Sequence, residues 1–182
     1  MKTLIVVDMQ NDFIDGALGT KEAQAIVPNV KKKIDEYVKR GDHIIFTQDT
    51  HFDDYLDSQE GKLLPVKHCI YGTHGWEVAR AIDIHTRQHI PKHQFGYTGA
   101  GWYNALGCYD SEDMTKPYRS DEIEIVGLCT DICVVSNALI LKSILPEMKI
   151  TVDASCCAGV TPKTHKAALT TMKMCQINVI GE

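Results

Sequence analysis

Nowhere in the 182 residues does an apolar run approach the roughly 20 residues that a helix needs to cross a bilayer. A membrane-spanning role is therefore not expected. The apolar stretch at the start, Leu4 to Val7, is also too short for a signal-peptide core and lacks a cleavage-like flank. It reads better as a first strand, and the expected compartment is the cytoplasm. There is no basic excess: 19 Lys and Arg stand against 24 Asp and Glu, a net charge of −5, so no nucleic acid partner is expected. The sequence shows no internal repeat, low-complexity tract or linker, and its length fits a single domain over residues 1–182 with a sizeable core. It also lacks a disulfide framework. Cys69, Cys108, Cys129, Cys133, Cys156, Cys157 and Cys175 are odd in number and come without a secretion signal. They do not form the two close pairs of a zinc ribbon, and Cys129 and Cys133 are not a Cys-x-x-Cys redox pair.

What is present is an alternation of short apolar runs with helical patterns. Thr3–Val7, His43–Thr47, Gln88–Pro91, Glu122–Val126, Lys149–Val152 and Gln176–Ile180 read as six strands. Pro28 suits a first helical position, with Val30, Ile34, Tyr37 and Val38 marking one face and Arg40-Gly41-Asp42 as the stop. Trp76–Ile82 and Gly99–Leu106 read as short helices, and Thr161-Pro162 opens a last helix to Met174. Residues 49–75 are polar and irregular, and residues 110–120 give no clear pattern. Strands alternating with helices predict an α/β fold: three α/β/α layers around a six-stranded parallel sheet, Rossmann-like in design. In such sheets the site lies at the carboxyl ends of the strands, near the switch in strand order.

Reactive side chains fall at four of those ends. Asp8 follows the first strand, Asp49 and His51 the second, and Lys92 the third. Cys133 follows the fourth, after Val126-Gly127-Leu128-Cys129-Thr130-Asp131-Ile132, which reads as strand, tight turn and helix start. Thr130 or Asp131 is the expected cap. A thiol in that first turn feels the positive end of the helix dipole, which favours thiolate. A carboxylate can take its proton, and a lysine beside both assists the transfer. The amides of Cys129 and Cys133 are candidates for binding an oxyanion.

This set resembles the isochorismatase-like cysteine hydrolases. The likeness rests on Val-Asp-Met-Gln-Asn-Asp-Phe at 7–13, on Lys92, and on Gly-Leu-Cys-Thr-Asp-Ile-Cys-Val at 127–134. Val152-Asp153-Ala154 and the run from Thr161 through His165 to Leu169 extend it. The resemblance implies a catalytic triad of Asp8, Lys92 and Cys133, and a cis peptide between Leu128 and Cys129. It is closest to the metal-dependent nicotinamidase subgroup, which implies one divalent metal ion on Asp49, His51, Glu60 and His68. Zinc is the first expectation, with manganese or iron as alternatives. Glu60 to His68 is one residue longer than in those relatives, and Asp53, Asp54 or Asp57 could replace Glu60.

The implied reaction is hydrolysis of nicotinamide to nicotinate and ammonia through a thioester on Cys133, in NAD salvage, by a homo-oligomer. Phe13 is the candidate for stacking on the ring, with Phe95 and Leu128 as further substrate contacts. Three other readings compete. One is a metal-free hydrolase of the same family acting on another small amide or an enol ether. Another is a redox thiol protein using Cys129 with Cys133, or Cys156 with Cys157. The third is a binding module that has lost catalysis, against which the intact Asp8, Lys92 and Cys133 argue.

Overall fold

The computed structural model describes residues 1–108 and 120–182. The unassigned stretch at 110–120 thus lies almost wholly outside the described residues. Six strands form one all-parallel sheet: β1 (Lys2–Val7), β2 (His43–Asp49), β3 (Gln88–Lys92), β4 (Glu122–Leu128), β5 (Ile150–Ala158) and β6 (Asn178–Ile180). Their order is β3-β2-β1-β4-β5-β6, so the order reverses between β1 and β4. The helices are α1 (Asn11–Ile14), α2 (Lys21–Arg40), α3 (Gln59–Leu63), α4 (Gly99–Ala105), α5 (Val135–Ile144) and α6 (Pro162–Met174). No helix among the described residues is long and apolar enough to cross a membrane.

The sheet is apolar on both faces because both are covered. Ile5 and Val7 pack with Trp102, Val134, Leu141 and Leu169 on the side of α4, α5 and α6. Leu4 and Val6 point the other way, into Val30, Ile34 and Tyr37 of α2. This explains why Leu4–Val7 reads as an unbroken apolar run rather than an alternating one.

Several boundaries differ from the sequence reading. Helix α2 starts at Lys21, where Thr20 accepts the Ala23 amide at 3.0 Å, and Pro28 lies inside it. Its buried face is Ala23, Ile26, Val30, Ile34 and Tyr37, whereas Val38 is exposed. The helix ends as expected, at Gly41 in the left-handed region (φ 72°), the conformation glycine adopts most readily. Trp76–Ile82 is not a helix. A single 3₁₀ turn spans His74–Trp76, and the next carbonyls bond sideways: Trp76 O accepts from Gln10 and Glu77 O from the Asn11 amide. With those carbonyls engaged, no i to i−4 ladder forms. The irregular stretch after β2 contains a 3₁₀ turn at Tyr55–Asp57 and the short α3. Gly127 is not a turn but a strand residue at φ 118°; a Cβ there would sit 2.1 Å from the Val7 carbonyl. Strand β5 is longer than expected and buries Cys156 and Cys157.

One ion cluster ties α2 to the sheet. Lys33 Nζ lies 2.6 Å from Glu124 on β4 and 2.8 Å from Asp153 on β5, and the Tyr37 hydroxyl donates to Glu124 at 2.6 Å. Burial raises the Asp153 carboxyl, but Lys33 and Ser155 outweigh it and hold it below the ordinary carboxylate value. A depressed carboxyl stabilises the fold above its unfolded pKa of about 3.9, and that stability is lost as pH falls through the folded value. Lys33→Met should therefore lower unfolding free energy by about 3 kcal/mol at pH 7, the usual cost of stranding buried charge. The gap to wild type should narrow as pH falls below the ordinary carboxylate value of about 3.9 and through the depressed Asp153 value. Denaturant melts at pH 7 and pH 3 measure both values; equal losses at the two pH values would exclude this role for Lys33.

Candidate active site

The ends of β1, β2 and β4 place three groups around one ammonium, which β3 supplies. Lys92 Nζ lies 2.6 Å from Asp8 Oδ2, 3.5 Å from Asp49 Oδ1 and 3.6 Å from Cys133 Sγ. Each position follows from the sheet. Asp8 comes directly after β1, with its backbone turned to φ 46°. Asp49 and Lys92 are register partners on β2 and β3. Lys92 is 1% exposed, and Asp8 and Cys133 are buried. The Thr47 hydroxyl donates to Asp8 Oδ1 at 2.7 Å and fixes its other oxygen toward Lys92.

The nucleophile's turn differs from the expected helix start. Thr130–Val134 forms a π-helical turn that leads into α5, with no side-chain cap. The Cys129 carbonyl accepts from the amides of Ile132 (3.1 Å) and Val134 (3.0 Å), and Val135 closes onto Thr130. Neither Thr130 nor Asp131 caps the turn. The Thr130 hydroxyl bonds His165 Nδ1 at 2.8 Å, and both Asp131 oxygens accept the Val160 amide at 3.1 Å. The peptide between Leu128 and Cys129 is cis, as the resemblance implied.

Electrostatics correct a second expectation. The helix start was expected to favour thiolate. Instead burial dominates. It pushes the Cys133 thiol well above its ordinary value, with Asp8 adding to the rise and Lys92 opposing it. Burial likewise raises Asp8 against the pull of Lys92. Lys92 itself is raised, because Asp8, Cys133 and Asp49 overcome its burial. The resting thiol is therefore protonated, beside a carboxyl with more than ordinary proton affinity.

A second group of side chains meets the first through Asp49. Its Oδ2 lies 3.0 Å from His51 Nε2 and 3.6 Å from His68 Nε2. Glu60 Oε1 stands 3.7 Å from His51 Nε2 and 4.0 Å from His68 Nε2. Asp53, Asp54 and Asp57 are exposed instead. His68 Nδ1 donates to the Val66 carbonyl at 2.8 Å, which turns Nε2 toward Asp49 and Glu60. Burial raises the Asp49 carboxyl, but hydrogen bonds from His51 and His68 and the charge of Lys92 drive it below the usual range. One atom each from Asp49, His51 and His68 lie within 4.8 Å of one another. Two imidazoles and an ionised carboxylate, with Glu60 beside them, suit a divalent transition metal.

Both groups open into one cavity of about 300 Å³. Cys133, Asp49, Glu60 and His68 line it, with Phe13, Leu128 and Cys129 as apolar wall. Phe13 is buried, its ring 5.5 Å from that of His68. Phe95 also lines the cavity but is 48% exposed, at the mouth.

Sequence reasoning missed the side chains that hold this arrangement. Gln10, fully buried, donates to the Asp49 carbonyl (2.8 Å) and accepts the Asp49 amide (2.7 Å). Asp12 accepts the Cys69 amide at 2.7 Å, next to His68. Asn137 donates to the Cys133 carbonyl (2.8 Å) and accepts from Tyr97 N (2.8 Å) and Trp102 Nε1 (3.1 Å). Gln10 and Asp12 lie inside the first motif, so their presence was visible although their partners were not. Asn137 looked like one polar residue in an apolar helix, and only the loop packed on it explains it.

Comparison with known proteins agrees with this geometry. The chain is 27% identical over 199 residues to the nicotinamidase/pyrazinamidase of Mycobacterium tuberculosis, covering 99% of this chain and 98% of that one. It is 26% identical to the nicotinamidase of Saccharomyces cerevisiae, over the full length of both. Its fold superposes on the crystal structure of the Pyrococcus horikoshii pyrazinamidase in complex with zinc, with a TM-score of 0.83, 25% identity and coverage of 100% and 99%. The isochorismatase domain model matches residues 2–181, and the chain belongs to the isochorismatase family of hydrolases.

Proposed function

We propose that this hydrolase is a nicotinamidase, converting nicotinamide and water to nicotinate and ammonia in the salvage of NAD. The observation that carries this reading is the shared cavity: Cys133, which contacts Lys92 in the first cluster, and Asp49 and His68 of the second line the same 300 Å³ space. A pyridine carboxamide has two ends, a ring nitrogen and an amide, and this site offers a different chemistry to each.

Cys133 Sγ attacks the carboxamide carbon and passes its proton to Asp8, whose raised proton affinity suits it to accept one from a thiol. The carbonyl oxygen becomes an oxyanion, which the amides of Cys129 and Cys133 receive. Asp8 returns the proton to the amide nitrogen as the C–N bond breaks, ammonia leaves, and a thioester remains on Cys133. Water then attacks the thioester, again losing a proton to Asp8, and the thiol departs with that proton as nicotinate forms. Throughout, the Lys92 ammonium balances whichever partner is anionic, from 2.6 Å on the carboxylate side and 3.6 Å on the sulfur side. Phe13 stacks on the ring and Leu128 closes the wall, while Phe95 shields the mouth. A divalent ion held by Asp49, His51 and His68, with Glu60 beside it, supplies a Lewis-acidic anchor for the ring nitrogen.

Three outcomes follow from these roles. Cys133→Ala should lower ammonia release from nicotinamide by more than about 10⁴-fold, the scale for deleting a covalent nucleophile. Its melting temperature should stay near wild type, and Cys129→Ala should keep most activity. Near-normal turnover by Cys133→Ala would rule out the thioester route.

His51→Ala should lose bound metal, measured by elemental analysis, and raise KM for nicotinamide by about tenfold or more, as expected for a missing metal ligand. It is a cleaner test than Asp49→Ala, because Asp49 also faces Lys92. Chelation should mimic it reversibly. Full activity in a verified metal-free preparation would favour a metal-free hydrolase of another small amide.

Alkylation of Cys133 by iodoacetamide should titrate above the ordinary thiol value of about 8.5, since burial raises this thiol. Lys92→Met should move the inflection further up, and Asp8→Asn should move it down while abolishing turnover. An unshifted profile in Lys92→Met would exclude electrostatic contact between that lysine and the thiol.

A further inference from the structure

His165 has no part in the chemistry described above, yet it holds the nucleophile's turn from behind. Its Nδ1 is 2.8 Å from the hydroxyl of Thr130, a fully buried residue that directly follows Cys129. His165 is itself well anchored. It lies in the first turn of α6, where Thr161 and Thr164 form a reciprocal capping box behind Pro162, and its own amide donates to the Thr161 carbonyl at 2.9 Å. The chain passes tightly over it. A Cβ on Gly159 would sit 2.9 Å from His165 Cβ and 3.0 Å from its Cα, so the β5–α6 connection packs directly on the base of this side chain. The next residue of the turn, Asp131, is tied to the same connection through the Val160 amide. Two consecutive residues, Thr130 and Asp131, are thus held by α6 and its lead-in. They lie between Cys129 and Cys133, which line the cavity and whose amides are the proposed oxyanion donors.

The turn needs such a support. It has no side-chain cap, and its closure is π-helical. Oxyanion donors act only when pre-set within a few tenths of an ångström of the developing charge. We propose that His165 is a positioning residue: through Thr130 it holds the Cys129 and Cys133 amides in oxyanion-binding geometry. This rests on the proposed role of those amides, though not on nicotinamide being the substrate. Burial holds the His165 pKa below the ordinary imidazole value, so the ring is neutral near pH 7 and bonds Thr130 with a single ring nitrogen. An asparagine side chain can place a nitrogen or oxygen close to where Nδ1 lies, whereas alanine cannot.

The test compares two reactions of the same thiol. Acylation by p-nitrophenyl acetate passes through an oxyanion, whereas alkylation by iodoacetamide is a direct displacement that forms none. His165→Ala should slow the p-nitrophenol burst by about 10- to 100-fold, the scale of an ångström-sized misplacement, and leave the alkylation rate near wild type. With nicotinamide the loss should fall on kcat rather than KM. Thr130→Val should match His165→Ala, the double variant should be no worse than either single one, and His165→Asn should recover most of the rate. An unchanged burst in His165→Ala, an equal fall in both reactions, or no recovery in His165→Asn would overturn the proposal. So would a wild type that alkylates at Cys133 but is not acylated by the ester. A wild type that is acylated but releases no ammonia from nicotinamide would overturn the nicotinamidase reading alone.

Discussion

The structure around the site depends on one buried cation. Lys92 is 1% exposed, and an isolated ammonium could not remain charged there. It does so because Asp8, Asp49 and the Cys133 sulfur surround it, each delivered by a different strand end or the turn beyond it. The dependence is mutual. Asp8 and Asp49 are also buried, and without Lys92 two carboxylates would face each other with little solvent between them. The lysine is therefore both a charge-balancing member of the reactive cluster and the pin between β1, β3 and the turn after β4.

This arrangement explains why burial, rather than the helix start, governs the thiol. A helix terminus acts through a half-charge and is worth at most about 2 kcal/mol in favourable partly buried geometry. Complete removal from water disfavours a thiolate by more than that, and Asp8 disfavours it further. The cysteine is thus kept as a thiol until its proton can move to Asp8 while the lysine stays charged. A buried thiol is also shielded from oxidation, which depends on thiolate character and exposure. The other buried cysteines of the sheet lack this lysine contact. Cys156 is held at about 11 by burial first, and it lies away from Lys92 in the strand that packs beneath α2.

Much of this was legible in the sequence, and the limits have physical causes. Each reactive residue was marked by position: it follows an apolar run, and parallel sheets expose such ends together. Asp8, Asp49, Lys92 and Cys133 could be placed on one edge without coordinates. The metal-type cluster needed the family resemblance, because Glu60 and His68 lie in a stretch with no periodicity, and three other acids compete with Glu60. The start of α2 was missed because Pro28 looked like a boundary, while the true signal, Thr20 ahead of an amphipathic run, was an ordinary cap. The Trp76 segment was misread because its apolar spacing suggests a helix, whereas Gln10 and Asn11 donate to its carbonyls from across the fold. The supports by Gln10, Asp12 and Asn137 were invisible for a related reason. Gln10 and Asp12 bind backbone far away in sequence, and Asn137 accepts the distant Tyr97 amide; backbone carries no sequence signature.

The topology also decides when the reactive cysteine comes into being. Strand β1 pairs with β4 in a register that sets Lys2 against Glu122 and Val7 against Gly127. About two-thirds of the chain must therefore be threaded before Asp8 and Cys133 can meet, and long-range parallel pairing of this kind forms slowly. Until then Cys133 is an ordinary exposed thiol without base or ammonium beside it. Strand β3 must then add at the far edge for Lys92 to arrive, since it reaches Asp8 only across β2. The cluster is in this sense a property of the completed sheet, not of any local segment. Damage to an edge contact, such as β2 with β3, would remove the lysine and leave a buried pair of acids beside a thiol, which is an unfavourable state to populate. The buried cluster and the completed sheet are therefore stable together, and Lys92 is what couples them.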